Sequence, residues 1–164
     1  MRKQKGFSLI ELLIVVAIIL IIAAIAIPNL LRARMSANES SAVGSIRSLN
    51  TAEVMYNSTY PTAGFADTLV KLGSSAGVCT PSQAGACLID SVLTSGTKSG
   101  YTFNSVGATG GPPTVSYWVN GSPVTPNQTG IRAFCSFEDA VVRSDPAGTG
   151  ATSAASCAAF TPLN

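Results

Sequence analysis

Apolar residues are distributed very unevenly along this chain of 164 residues. Between residues 7 and 31, only Ser8, Glu11, Pro28 and Asn29 are not apolar. As a helix rising about 1.5 Å per residue, this stretch would be about 37 Å long, which is enough to cross a bilayer core of about 30 Å. The pattern therefore predicts a membrane-spanning helix near the N-terminus.

Beyond Pro28, apolar residues recur every three or four positions, with one gap of seven. They form one stripe of an amphipathic helix: Met35, Ala42, Ile46, Leu49, Ala52 and Tyr56. Intervening polar residues are predicted to point elsewhere: Arg34, Asn38, Ser41, Ser45, Ser48 and Asn50. Because no proline interrupts residues 29–60, the helix is predicted to extend to residue 58, before Tyr60-Pro61.

Pro28 interrupts the backbone hydrogen bonding of this long helix. A proline in a helix interior removes one hydrogen bond and clashes with the preceding turn. We therefore expect a helix kink at Pro28, or a locally melted stretch near residues 22–27.

The rest of the chain alternates between apolar and polar positions over short runs, which predicts strands. The predicted strands cover residues 101–106, 114–119, 130–137 and 140–143, with turns at residues 120–123 and 138–139. Short strands joined by short turns predict an antiparallel meander, one face of which can pack on the helix. The expected fold class is α+β, and the Gly-, Ser- and Thr-rich residues 144–156 are expected to form a flexible surface segment.

Composition narrows the possible functions. The chain has no histidine, which excludes a Ser-His-Asp or Cys-His catalytic set and imidazole metal ligands. Only 11% of residues are charged, and a net charge of +2 offers no basic stripe for nucleic acid. We expect no enzymatic activity, no cofactor, no metal and no nucleic-acid partner.

The residues around the start of the apolar stretch form a specific motif. Residues 5–16 are Lys-Gly-Phe-Ser-Leu-Ile-Glu-Leu-Leu-Ile-Val-Val. This motif resembles the class III leader of type IV pilins and type II secretion pseudopilins. The resemblance implies that prepilin peptidase cuts between Gly6 and Phe7 and N-methylates Phe7. It also implies that Glu11 pairs with the N-terminal amine of a neighbouring subunit during filament assembly.

The same resemblance divides the chain into a leader, a helix and a head. The leader is residues 1–6, the helix residues 7–58, and the head residues 59–164, with an αβ-loop, an antiparallel sheet and a C-terminal disulfide loop. Removing the three basic leader residues would leave seven basic against eight acidic residues, a net charge of −1.

The resemblance implies a major type IV pilin, which polymerises with copies of itself into a helical filament for adhesion, twitching motility or DNA uptake. Its partners would be prepilin peptidase, the inner-membrane assembly machinery and, before assembly, the bacterial inner membrane. There the leader would be cytoplasmic and the head periplasmic, and the assembled pilus would lie on the cell surface.

Three alternatives remain. The first is a type II secretion pseudopilin that forms a short periplasmic filament. The second is a membrane-anchored periplasmic enzyme or binding protein, for which the chain offers no nucleophile and base together. The third is a secretory signal peptide cut after Ala24-Ile25-Ala26, which Glu11 disfavours because a carboxylate is costly within an apolar segment.

Four cysteines in a head outside the cytoplasm are expected to form disulfides. They allow three pairings, of which we favour Cys79 with Cys87 and Cys135 with Cys157. The second pair resembles the C-terminal disulfide loop of type IV pilins. Zinc would need CxxC-like spacing, which is absent.

A few acidic residues of the head are candidates for calcium binding. Glu138, Asp139 and Asp145 follow one another closely, and carboxylates are calcium ligands. A solvated acidic turn is the interpretation that we favour for these three residues.

Overall fold

A computed structural model describes residues 7–74, 79–107 and 111–163. The predicted leader, including Gly6, lies outside the described residues. The chain divides into two compact units, Met1–Arg34 and Met35–Asn164. The first helix has residues in both units, and each unit is described by itself below.

The secondary structure is a long helix followed by short helices and strands. In chain order the elements are α1 Leu9–Thr59, α2 Leu69–Leu72, α3 Ser91–Thr94, β1 Thr97–Lys98, β2 Tyr101–Gly107, β3 Tyr117–Pro123, β4 Ala133–Phe137, β5 Arg143–Asp145, α4 Ala154–Ala158 and β6 Thr161–Pro162. The six strands form one antiparallel sheet in the order β1-β2-β3-β4-β5-β6. The predicted α+β class and antiparallel meander are confirmed.

The first unit is helical from Leu9, where α1 begins. Every Phe, Leu, Ile and Val side chain in residues 7–31 is at least 46% exposed. By length and composition, α1 contains a stretch able to cross a membrane. The helix is continuous through residues 22–27 and Pro28, so this stretch is not melted, and the kink at Pro28 stays a prediction.

In the second unit, the stripe on α1 packs against the sheet. Ala42, Ile46, Leu49 and Tyr56 are completely buried in the main core, as the helical spacing predicts. Two residues predicted to point elsewhere, Ser45 and Asn50, are 5% exposed. The prediction failed there because the head covers a wider arc of the helix than the apolar stripe alone.

The second long strand lies further along the chain than its pattern indicates. β2 alternates buried and exposed residues as predicted, but β3 covers Tyr117–Pro123 and includes the predicted turn. Gly121 lies opposite Phe103, and a Cβ at Gly121 would lie 2.9 Å from the Phe103 ring. This glycine therefore permits close packing inside the sheet, where its sequence neighbours suggested a turn.

The last strands also differ from prediction. β4 and β5 each begin three residues later than predicted. Before β4, the amides of Ile131 and Arg132 donate to Glu39 on α1 instead of to a neighbouring strand. The turn at residues 138–139 is present. Residues 144–156 are not a loose excursion, since Asp145 is buried and accepts backbone hydrogen bonds within its own loop.

Two disulfides join segments of the head, in the pairing that the sequence analysis favours. Cys79 is bonded to Cys87, and Cys135 on β4 is bonded to Cys157 on α4. The second disulfide is buried in a small cluster with Ala151, against which Trp118, Phe137 and Phe160 pack. It attaches the C-terminal segment to the face of the sheet.

The buried stripe makes a direct prediction for stability. We expect Leu49→Ala to lower the free energy of unfolding by about 2–5 kcal/mol, because it leaves a cavity in the core. Val54→Ala, at a 57% exposed position of the same helix, is the control and should cost less than about 1 kcal/mol. Urea unfolding of the full chain in detergent measures both, and similar losses for the two variants would contradict this packing.

Candidate functional site

The start of α1 combines an exposed apolar surface with one acidic side chain. Glu11 lies in the first turn, and its Oε2 accepts a hydrogen bond from the backbone N–H of Ser8 at 2.9 Å. This contact is one half of a capping box, which satisfies a backbone donor that the helix start leaves open. Phe7, immediately before it, is 77% exposed. Glu11 therefore has a local structural role in addition to the assembly role predicted for it.

The apolar surface of residues 7–31 lacks any covering in the described part of the chain. Monomeric soluble proteins rarely expose contiguous apolar patches of more than a few hundred Å², so a surface like this one marks a membrane or protein contact. Glu11 is the only charged residue within this stretch. The site is thus an apolar helix with a carboxylate close to its N-terminal end.

A charged contact attaches the second part of α1 to the loop before β4. Glu39 Oε1 accepts from the backbone N–H groups of Ile131 and Arg132, and Oε2 accepts from Nε and Nη2 of Arg132 at 3.0 and 2.8 Å. Burial alone would raise the pKa of Glu39, but these hydrogen bonds and the positive charge of Arg132 lower it. Both guanidinium N–H groups donate to the same carboxylate oxygen, and such charge-assisted hydrogen bonds are stronger than those between neutral groups.

Further along α1, buried polar groups bind the sheet. Asn50 Nδ2 donates to Ser136 Oγ at 2.9 Å, and its Oδ1 accepts from the hydroxyl of Tyr117 at 3.3 Å. One turn later, Glu53 accepts from the amide of Ala66 and from Ser105 Oγ. These contacts give the helix one defined position on the sheet, because a buried polar group without its partner is costly.

Glu39 and Glu53 were not among the predicted site residues, although their spacing along α1 indicates that they lie on its buried face. Glu39 fills the gap of seven between Met35 and Ala42, and Glu53 follows Ile46 by two helical turns. Both glutamates therefore lie on the buried face of the helix. An acidic residue at an apolar position indicates a buried partner, but the sequence does not identify that partner.

The candidate calcium ligands are not assembled into one cluster. Asp139 pairs with Arg143 at 2.6 Å, and this contact lowers the pKa of Asp139. Both oxygens of Asp145 accept hydrogen bonds from its own loop, and Glu138 is exposed. Across residues 7–74, 79–107 and 111–163, no three His, Cys, Asp or Glu side chains come together as a metal site requires.

Comparison with known proteins locates the similarity in the N-terminal region. Residues 1–27 match the family model described as the prokaryotic N-terminal methylation motif. The major component of the type IV wide pilus of Thermus thermophilus is 68% identical over 40 residues, which cover 24% of this chain and 30% of that protein. No solved structure matches the chain.

Two other relatives belong to the two classes of protein that the motif resembles, the secretion pseudopilins and the type IV pilins. The type II secretion system core protein G of Vibrio cholerae is 46% identical over 65 residues, 38% of this chain and 44% of that protein. The type IV major pilin protein of Myxococcus xanthus is 49% identical over 51 residues, 31% of this chain and 23% of that protein. The chain spans less than half the length of each of these three relatives.

The chain carries the methylation motif of prepilins, and its N-terminal region resembles type IV pilins and type II secretion pseudopilins. The resemblance predicted from residues 5–16 is therefore confirmed for the region that these matches cover. The relatives are named as a pilus component, a major pilin and a secretion-system core protein.

The contact between Glu39 and Arg132 predicts a pH-dependent effect on stability. Glu39→Gln should lower the free energy of unfolding at pH 7 by about 1–3 kcal/mol, because it weakens hydrogen bonds to a charged group. Since the pKa of Glu39 lies below 4.5 in the folded chain, its contribution is complete above pH 4.5 and disappears as the pH falls through the folded value.

Urea unfolding of the full chain in detergent, at pH 7 and at pH 3, measures this difference. Glu138→Gln, at an exposed acid, is the control and should have little effect at either pH. An equal loss for Glu39→Gln at both pH values would contradict the assignment.

Proposed function

We propose that this chain is a structural subunit, a major pilin, which polymerises through α1 into a type IV pilus. The observation that carries the proposal is the exposed apolar helix with a single carboxylate near its start, joined to the prepilin methylation motif. A membrane covers this surface before assembly, and copies of the same helix cover it in the filament. The work of the protein is then assembly, without enzymatic activity or a cofactor.

The processing step follows from the motif. Prepilin peptidase removes residues 1–6 by cutting between Gly6 and Phe7, and then methylates the new amine of Phe7. The apolar helix stays on the mature chain, which distinguishes this step from the action of a signal peptidase. The exposed position of Phe7 ahead of α1 fits a site that an enzyme must reach.

Glu11 supplies the charge that this new amine requires. A carboxylate in hydrocarbon is costly unless it is paired or protonated. In the filament, Glu11 of one subunit pairs with the amine of Phe7 of its neighbour, and the pair fixes the axial position of the incoming subunit. The Ser8 contact holds the carboxylate at the start of the helix, close to where that amine forms.

The path of the chain follows from these steps. The precursor lies in the bacterial inner membrane with its leader in the cytoplasm and its head in the periplasm, where the two disulfides form. The inner-membrane assembly machinery transfers the mature subunit into a filament that extends onto the cell surface. Adhesion, twitching motility and DNA uptake are the activities of such filaments.

A type II secretion pseudopilin is the second candidate, and one observation favours it. The match to the core protein G of Vibrio cholerae extends over 65 residues, against 40 residues for the wide-pilus component. Electron microscopy of filaments sheared from cells, with antibody against the head, distinguishes the two. Labelled long extracellular fibres support the major pilin, whereas label confined to the cell envelope supports the pseudopilin.

The role of Glu11 can be separated from its capping contact by two variants. Glu11→Ala removes both the charge and the contact with Ser8, whereas Glu11→Gln keeps a hydrogen-bond acceptor for the cap. If charge pairing drives assembly, both variants should still lose their leader normally. Their filament yield should fall at least about tenfold, because losing about 1.4 kcal/mol of assembly free energy corresponds to a factor of ten.

Filament yield from sheared cells, relative to mature subunit in the membrane, is the measurement. Glu138→Gln is the matched control and should assemble as the unchanged chain does. Normal assembly of Glu11→Gln, with a defect in Glu11→Ala alone, would assign the role to helix capping and contradict charge pairing.

A further inference from the structure

Three arginines on α1 are exposed and have no acidic partner in the part of the chain that the structure describes: Arg32, Arg34 and Arg47. Every other lysine or arginine in that part forms an ion pair. These pairs are Lys71 with Asp67, Lys98 with Asp90, Arg132 with Glu39 and Arg143 with Asp139. Arg32 and Arg34 come directly after the apolar surface of residues 7–31, whereas Arg47 lies in the second unit. The end of the apolar surface therefore carries two positive charges without a counter-ion.

Arg32 and Arg34 lie on different sides of the helix. Two positions along an α-helix correspond to a rotation of about 200°, so residues that far apart do not face each other. Ala33, between them, is also exposed. A single flat protein surface cannot contact both arginines at once, but a medium that surrounds the helix can. The pair is here called the arginine collar.

The position of the arginine collar matches the thickness of a bilayer. Glu11 and Arg32 are 21 positions apart, which is about 31 Å along a helix. The hydrocarbon core of a bilayer is about 30 Å thick. When the apolar residues between them fill this core, the two charged residues reach opposite membrane surfaces. The long arginine side chain can also extend to the headgroups from just inside the boundary.

Phosphate at the membrane surface suits the arginine collar better than the head of a second copy does. Among the acids of residues 35–74, 79–107 and 111–163, only Glu138 is exposed without an ion pair. A second head therefore offers one free carboxylate, whereas phospholipids present phosphate on every side of the helix. Guanidinium groups bind phosphate through strong, charge-assisted hydrogen bonds.

We propose, on the basis of the membrane stage of the proposed function, that the arginine collar binds the phosphate groups of anionic phospholipids where α1 leaves the membrane. Phosphatidylglycerol is the matching class of lipid, since its headgroup has a phosphate and no positive charge of its own. Phosphatidylcholine also carries phosphate, but its own ammonium group competes with the arginines. The collar thus gives the inserted chain a local preference for anionic lipid.

Fluorescence quenching beside the collar tests this in the full chain, reconstituted in phosphatidylcholine vesicles. Ala33→Cys accepts a fluorophore between the two arginines, because all four native cysteines are in disulfides. The quencher is a nitroxide near the headgroup, carried at equal mole fraction by phosphatidylglycerol or by phosphatidylcholine. We expect local phosphatidylglycerol to be enriched about threefold to tenfold, since one basic residue near an anionic surface contributes about a factor of five. Equal quenching by the two lipids would overturn the proposal.

Further variants of the labelled chain identify the residues responsible. Arg32→Gln together with Arg34→Gln should remove the preference, whereas Arg47→Gln is the matched control at an exposed arginine and should keep it. A preference that survives the double replacement, or that falls as much in Arg47→Gln, would reject the collar. Inorganic phosphate, at the ionic strength of a sodium chloride control, should leave the preference intact, and its loss would assign the site to free phosphate instead of lipid.

A second label separates failure of the collar from failure of the membrane stage. A fluorophore on Ala17→Cys, within the apolar surface, should be quenched by a nitroxide deep in the acyl chains, whatever the headgroup. Deep quenching without a lipid preference at residue 33 would overturn the collar alone. Absence of deep quenching would contradict membrane insertion, and with it both the membrane stage of the proposed function and the collar.

Discussion

The dominant physical constraint on this protein is the exposed apolar surface of residues 7–31. Every large aliphatic or aromatic side chain in this stretch is exposed, and from Leu9 onward the stretch is part of α1. Water is a poor solvent for such a surface, so the helix requires a membrane or other helices. In the proposed filament, Glu11 and the new amine of Phe7 neutralise each other's charge between neighbouring subunits.

In the head, specific polar contacts hold the second part of α1 on a small sheet. Two glutamates on the same buried face do this in opposite electrostatic settings. Glu39 has Arg132 and two backbone amides, which favour its charge, whereas Glu53 has Ser105 and an amide but no cation. Despite partial burial, these partners lower the pKa of Glu39, whereas burial raises the pKa of Glu53 to about 7.

Local patterns predicted much of this fold, and long-range contacts decided the rest. The helix and its stripe were predictable because helical spacing persists without a proline between residues 29 and 60. β3 was misplaced because Asn-Gly-Ser-Pro favours a turn locally, while Gly121 is needed against Phe103. The partner of Glu39 was unpredictable because Arg132 lies 93 residues away in the chain. At the N-terminal site, the motif identified Glu11 as a functional residue. The motif did not predict the hydrogen bond between Glu11 and the backbone N–H of Ser8.

If the chain is processed as proposed, the apolar helix remains on the mature protein with a new N-terminus at its start. Mass spectrometry of the N-terminal peptide, from the chain isolated from membranes, identifies that terminus. We expect a peptide that begins at Phe7 and carries one added methyl group on its amine. A mature chain that begins at Ile27, directly after Ala24-Ile25-Ala26, would contradict it, because the apolar helix would then be discarded.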